Sequence, residues 1–198
     1  MREAASDNEV DLVGRFARGR VAAAALATWA AAEAIVLPIV PDVGLCLLVL
    51  AAPSRAARLF VAVLAGAAIG TLLLAAFASQ APNAARNLLL AIPAIDASVL
   101  TEADRALARD GVAGFAQVGP GPPLKVFTVE WLRQGGDTAG ALAGAVLNRL
   151  TRIGPVLIAA VAVGHLARHW LRRHAGLTIA AYAALWIGFY ALYFSRSA

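Results

Sequence analysis

Charge, thiols and aromatic rings are scarce in this chain of 198 residues. Only 15% of residues are charged and 7% aromatic, with one cysteine, one methionine and one lysine. The lone Cys46 sits in an apolar run and cannot close an intramolecular disulfide or build a thiolate metal cluster. No Ser-His-Asp order, phosphate-binding glycine loop, dinucleotide glycine pattern or zinc motif occurs, so the reading is a non-enzyme without a cofactor. His165 and His169 have the i, i+4 spacing of a metal pair, but no acid or cysteine accompanies them. Beside Arg168, Trp170, Arg172 and Arg173, with His174 nearby, they read as interface residues, and no metal is expected. A net charge of +5 and a pI near 10.3 raise nucleic acid as a partner. The basic residues, however, cluster at the ends of apolar runs with no stacking platform between them, so no nucleic-acid partner is expected.

What the chain has in abundance is apolar sequence: 61% of its residues are hydrophobic and the mean hydropathy is +0.73. That composition predicts an all-α integral membrane protein. Apolar stretches approaching the ~20 residues of a span recur at 21–37, 59–79, 138–166 and 176–194. They predict about four membrane helices. Glu3, Asp7, Glu9 and Asp11 in the leading segment favour a retained first helix over a cleaved signal peptide. The expected organisation is a polar tail at 1–14, a membrane domain at 15–166, and a basic loop with a C-terminal membrane helix at 167–198.

Two further segments are apolar but interrupted, one by Pro38 and Pro41, the other by Pro120, Pro122 and Pro123. A proline removes an i to i−4 hydrogen bond and clashes with the preceding turn, so a Pro-x-x-Pro pair should stop a helix. Interrupted backbone survives in a bilayer only where protein or a water-filled cavity satisfies its polar groups, and paired interruptions in two halves of a chain point to a transport site. The segments are read as two inverted re-entrant hairpins with tips at 38–41 and 120–123, the second returning near Gly135-Gly136-Asp137. Each is followed by a spanning helix with a glycine pair, Gly66/Gly70 and Gly140/Gly144, of the kind that lets helices approach closely. Between the halves, Thr101-Glu-Ala-Asp104 reads as the capped start of a short amphipathic helix that ends at Gly111. Arg15, Arg18, Arg20, Arg55, Arg58, Arg168, Arg172 and Arg173 then fall on the cytoplasmic side, and Trp170, Trp186, Tyr182, Tyr190 and Tyr193 read as membrane-boundary or packing aromatics.

These residues carry a resemblance to the DedA family, also called VTT or SNARE-associated membrane proteins, and to its short YqaA-like branch. Glu33, Pro38, Pro41 and Asp42 match an acid, apolar stretch and Pro-x-x-Pro-acid element. Gly111, Phe115, Pro120, Pro122, Pro123 and Lys125-Val-Phe-Thr128 match a glycine-aromatic stretch, a proline turn and a Lys-Val-Phe-Thr run. Arg149 and Arg152 resemble a basic pair, with Asn148 where glycine is usual. The chain departs from the family at Gln117 and near Pro123, where better-studied members carry arginines, and Lys125 stands in for one of those charges. Glu130 and Trp131 replace small residues after the Phe-Thr run, which predicts looser packing of the second hairpin arm. The resemblance implies a lipid transporter, flippase- or scramblase-like, in a bacterial cytoplasmic (inner) membrane. Its partners would be membrane lipids, with self-association into a homo-oligomer left open.

The candidate site residues follow. Glu33 and Asp42 flank the first break. An ionised acid at mid-bilayer costs ~2.5–3.5 kcal/mol on insertion scales unless it faces a cavity or partner, so either is a proton carrier or an interfacial cap. Lys125 is either a point charge for a phosphate or a side chain reaching to the interface. Arg149 and Arg152 are three apart on one helix face and either hold a phosphate or pair with Glu130 or Asp137. The expected function is transport of a phosphate-bearing lipid such as a phospholipid or polyprenyl phosphate, with proton coupling open. The alternative is a membrane scaffold of the same fold without transport.

Overall fold

The computed structural model describes residues 16–17, 19–116 and 121–195. Among them every regular element is helical. The α-helices are α1 (Arg20–Ile35), α2 (Asp42–Ala51), α3 (Ala56–Gln80), α4 (Pro82–Leu90), α5 (Ala97–Asp110), α6 (Leu124–Arg133), α7 (Thr138–Leu166), α8 (Arg168–Arg173) and α9 (Ala175–Ser195). Short 3-10 turns at Pro53–Arg55 and Gly111–Phe115 precede α3 and follow α5. Pro53–Gln80 and Thr138–Leu166 are long and apolar enough to cross a membrane.

The stretch expected at 21–37 is shorter than that. Gly19 caps α1 in an extended conformation, and Val36 and Leu37 both turn their N–H groups onto the Ala32 carbonyl, ending the helix before Pro38. Its 16 residues are about 24 Å long at 1.5 Å per residue, against a ~30 Å hydrocarbon core. The stretch expected at 176–194 is helical within α9, where the described apolar helix is Gly176–Leu192.

α1 is alanine-rich, which suits a helix and leaves little side-chain bulk. It makes the most extensive helix contact in the chain, against α3. A methyl group added at Gly66 would overlap the carbonyl of Ala27, and one at Gly70 the carbonyl of Ala31. This pair is the close helix seam the sequence predicts. Gly140 and Gly144 do something else. They open α7 to aromatic rings, Gly140 to Trp131 and Gly144 to Phe115. The looser packing expected from Trp131 is therefore not found: its indole lies over Gly136 and Gly140, and its Nε1 donates to the Asp137 carbonyl at 2.9 Å.

The amphipathic helix between the halves begins five residues before the expected start. Asp96 caps α5, accepting from the N–H groups of Ser98 and Val99, whereas the Thr101 hydroxyl bonds back to Ala97 inside the helix. These bonds, that to the Ser98 hydroxyl above all, hold the exposed Asp96 carboxyl below its ordinary range. Gly111 ends the helix at φ +57°, as expected.

The two breaks are alike on one side only. Each is followed by a ten-residue helix, α2 or α6, and then by a long one. The arm entering the first is the full helix α1, whereas the described arm entering the second is the 3-10 turn Gly111–Phe115. There Gly114 is pressed against the backbone of Ala106 and Leu107, which leaves no room for a side chain. Pro120 and Gln117 lie outside the described residues. Pro123 is extended, at φ −63° and ψ 155°, and leads into α6.

The apolar interior forms two cores. One joins Leu26, Ala30, Leu45, Cys46, Val49, Leu59, Val63, Ile153 and Ala160, from α1, α2, α3 and α7. The other joins Ala34, Ala67, Leu74, Leu89, Leu100, Leu107, Phe115, Phe127 and Ala145. α1 passes from the first core to the second between residues 30 and 34, α3 between 63 and 67, and α7, in reverse, between 153 and 145.

Candidate functional site: a charged layer between two apolar cores

The passage between the cores is where the charge lies. Glu33 on α1 and Arg149 at the middle of α7 form an ion pair and are 3% and 1% exposed. Lys125, the second residue of α6, is 1% exposed and donates to the Leu37 carbonyl at 2.7 Å. Asp42 opens α2, buried, within the electrostatic field of Arg149, Arg152 and Glu33. Lys125 lies in the field of Glu33, Arg149 and Arg152. The five side chains predicted from scattered motifs thus occupy one layer.

Their pairings differ from the expected ones. Arg149 pairs with Glu33 rather than with Glu130 or Asp137. Asp137 is spent as the N-cap of α7, accepting from Gly140 N–H at 2.7 Å, while Glu130 pairs with Arg133 and sits 3.6 Å from Arg86. Lys125 does not reach to an interface. Arg152 is half-buried and has no hydrogen bond or ion pair among the described residues. His165 and His169 lie on different helices, α7 and α8, on either side of the turn at Ala167.

The first break explains why these residue types meet here. In a continuous helix the Leu37 carbonyl would accept from the N–H of residue 41, but Pro41 has none. The ammonium of Lys125 takes its place. Trp29 Nε1 donates to the Ile39 carbonyl at 2.9 Å, Val40 N–H donates to the Tyr190 hydroxyl at 3.0 Å, and the Tyr182 hydroxyl donates to the Val43 carbonyl at 2.8 Å. Interrupted backbone at an apolar depth is satisfied by side chains from α1, α6 and α9. Pro38 and Pro41 thus lie in a break held on several sides, and the Pro123 end of the second break is brought to it by Lys125.

Trp29, Tyr182 and Tyr190 are the site residues that the sequence does not single out. Tyr182 and Tyr190 read there as boundary or packing aromatics; their i, i+8 spacing, with Trp186 between, is the available signal of one helix face turned to one target. Asn148, buried beside Arg149, donates to the Phe115 carbonyl at 2.9 Å and so fastens the second entering arm to α7. Pro155 was not singled out either. It lies inside α7, one turn past Arg152, and leaves the Thr151 carbonyl without its helical donor.

Three comparisons, with family models, with curated proteins and with solved structures, give no match to this chain.

The layer's chemistry has to be read from its own groups. Asp42 Oδ1 and Arg149 Nε are buried without a hydrogen-bond partner among the described residues. A buried polar atom left unpaired is costly, so such atoms mark either a stored cost or a place for a ligand. The arrangement can hold an anion against guanidinium groups, donate from a lysine, and accept from a donor at a carboxylate. Among the described residues it contains no nucleophile set against a base.

Proposed function

We propose that this chain is a multi-pass integral membrane protein of the bacterial inner membrane that moves a phosphate-bearing lipid across the bilayer. In this reading α1–α2 and the segment ending in α6 are two re-entrant hairpins of inverted orientation, set beside the membrane helices α3, α7 and α9, and the first of the four expected membrane stretches, 21–37, is the entering arm of the first hairpin. The observation that carries it is the charged layer: two acids and three cations gathered at mid-length of α7, between two apolar cores. Charged side chains at that depth are expensive and are retained for pathways and sites. The ten residues of α2 and of α6 give each arm about 15 Å, half the hydrocarbon thickness, which fits tips that meet at the midplane.

Lys125, Arg149 and Arg152 supply the positive side of the lipid site, and Arg152 is the one with no protein partner among the described residues. Glu33 and Asp42 supply the acid side. A headgroup would pass the layer while its acyl or prenyl tail stays outside the helices.

A second reading is favoured by a specific observation. Glu33 and Arg149 satisfy each other, and Lys125 is committed to the Leu37 carbonyl, so much of the charge serves the fold. That is what a non-transporting scaffold needs. Reconstitution separates the two. Proteoliposomes carrying acyl-labelled phospholipid in both leaflets lose about half their fluorescence to an impermeant quencher when no lipid moves. The transporter reading expects loss beyond half in the presence of the protein, and much less with Arg152→Gln. Quenching that stays at half with folded wild-type protein favours the scaffold.

A further inference from the structure

The five charged groups of the layer leave one net positive charge, three cations against two anions. Their hydrogen-bonding capacity is unevenly used. Glu33 holds Arg149, and Lys125 holds the Leu37 carbonyl. Still unmet are Oδ1 of Asp42 and Nε of Arg149, both buried, and the guanidinium of Arg152. Asp42 and Arg152 interact through space without forming an ion pair among the described residues. A ligand that completes this layer must bring acceptors for two arginines, a donor for one carboxylate, and one net negative charge.

We infer that the layer selects a monoanionic phosphodiester headgroup carrying a hydroxyl, as in a glycerol phosphodiester lipid. The inference rests on the lipid-transport reading and deepens it. Phosphodiester oxygens match a guanidinium fork, and the hydroxyl gives Asp42 the donor it lacks. A zwitterionic choline headgroup fails twice, because it leaves the net charge uncompensated and its quaternary ammonium has no N–H to offer. A phosphomonoester dianion overshoots, leaving net negative charge between two apolar cores, where unpaired charge is least tolerated.

The test measures movement of acyl-labelled phosphatidylglycerol, phosphatidylcholine and phosphatidic acid in proteoliposomes of one background composition at pH 7, where a phosphomonoester is already largely dianionic. Wild type should move phosphatidylglycerol about tenfold faster than the other two, equivalent to about 1.4 kcal/mol. Asp42→Asn raises the layer to two net positive charges and should shift the preference toward phosphatidic acid. Arg152→Gln brings it to zero and should shift the preference toward phosphatidylcholine. Both variants leave the Glu33–Arg149 pair intact; should Asp42→Asn fail to fold, the Arg152→Gln shift decides alone. Equal rates for all three lipids would keep the transport reading and overturn the charge matching, as would variants that slow all lipids in proportion. No movement of any lipid would overturn both. Deacylated glycerophosphoglycerol binding as tightly as the lipid would assign the layer to a soluble diester and overturn the lipid assignment.

Discussion

Breaking the Glu33–Arg149 pair from one side should be far worse than removing it altogether. Both side chains are almost fully buried, at 3% and 1% exposure, so Glu33→Leu strands a guanidinium and Arg149→Met strands a carboxylate at an apolar depth. Losing one partner of a buried pair costs ~3–5 kcal/mol, whereas replacing both by apolar groups of similar volume ranges from neutral to ~1–4 kcal/mol more stable. The double variant should therefore be at least as stable as either single, with a coupling well above the ~0.5 kcal/mol expected of independent sites. Tryptophan fluorescence during SDS unfolding in mixed micelles reads all four corners of the cycle. Asp42→Asn is the contrasting case. It removes a charge whose Oδ1 has no partner, and it should leave the unfolding midpoint unchanged or raised. Additive losses in the double variant, or a loss at Asp42→Asn as large as at Glu33→Leu, would refute the reasoning that assigns one acid to the fold and frees the other.

Cysteines placed at Ser54, at the start of the apolar helix Pro53–Gln80, and at Ala84, past its end, in a Cys46-free chain should react with an impermeant thiol reagent from opposite sides of the membrane; labelling of both from one side contradicts the threading. Gly66→Ala drives a methyl into the Ala27 carbonyl and should cost ~1–3 kcal/mol in unfolding free energy. Gly154→Ala meets nothing within 4 Å and should be neutral or up to ~1 kcal/mol more stable. Cys46 is a native reporter of α2, buried in the apolar cluster against which Tyr182 of α9 packs. Tyr182→Phe removes a bond worth ~1 kcal/mol and should speed maleimide labelling of Cys46 about fivefold, and an unchanged rate would show that the Tyr182 hydroxyl does not hold α2 in place. Asp96, whose carboxyl is held below 3.8 by the Ser98 and Val99 bonds, adds stability to α5 that is present above that value and lost as pH falls through the lower folded one. The protection factors of the Ser98 and Val99 amides should fall as pH drops below 3.8, and should be lower at every pH above it with Asp96→Ala.

The ends of most elements were legible because prolines and glycines set them: α1 stops before Pro38, α6 begins after Pro123, and α5 ends on Gly111. The start of α5 was missed because the sequence offers two acceptable caps, Asp96 and Thr101, and the choice depends on where Leu100, Ala103 and Leu107 meet the core. The five charged positions could be found one by one, since charge inside apolar sequence stands out. Their pairing could not, because Glu33 and Arg149 are 116 residues apart and nothing local distinguishes Arg149 from Arg152. The two glycine pairs look alike in sequence and differ in use. Only the partner, an alanine-rich helix or an aromatic ring, separates them. The hydroxyl bonds of Tyr182 and Tyr190 were missed for a related reason, although their rings do pack on Trp186 as the sequence suggests. Tyrosine near a membrane boundary is common enough that a hydroxyl aimed at a distant backbone leaves no mark of its own.

The repair of the first break has a consequence for how the chain is made. The backbone around Pro38 and Pro41 is completed by Lys125, Tyr182 and Tyr190, at separations of 88, 139 and 150 residues. A ribosome delivering this polypeptide at ~5–20 residues per second exposes the broken segment for several seconds before the last of those donors and acceptors exists. During that interval the first broken segment has unmet backbone groups and an unpaired Glu33, so on the membrane reading proposed above it waits near water instead of entering the hydrocarbon. Its burial becomes a late event set by the arrival of the last helix. A nascent chain that stalls before α9 would then keep an acid-bearing apolar segment exposed, its backbone still lacking Tyr182 and Tyr190.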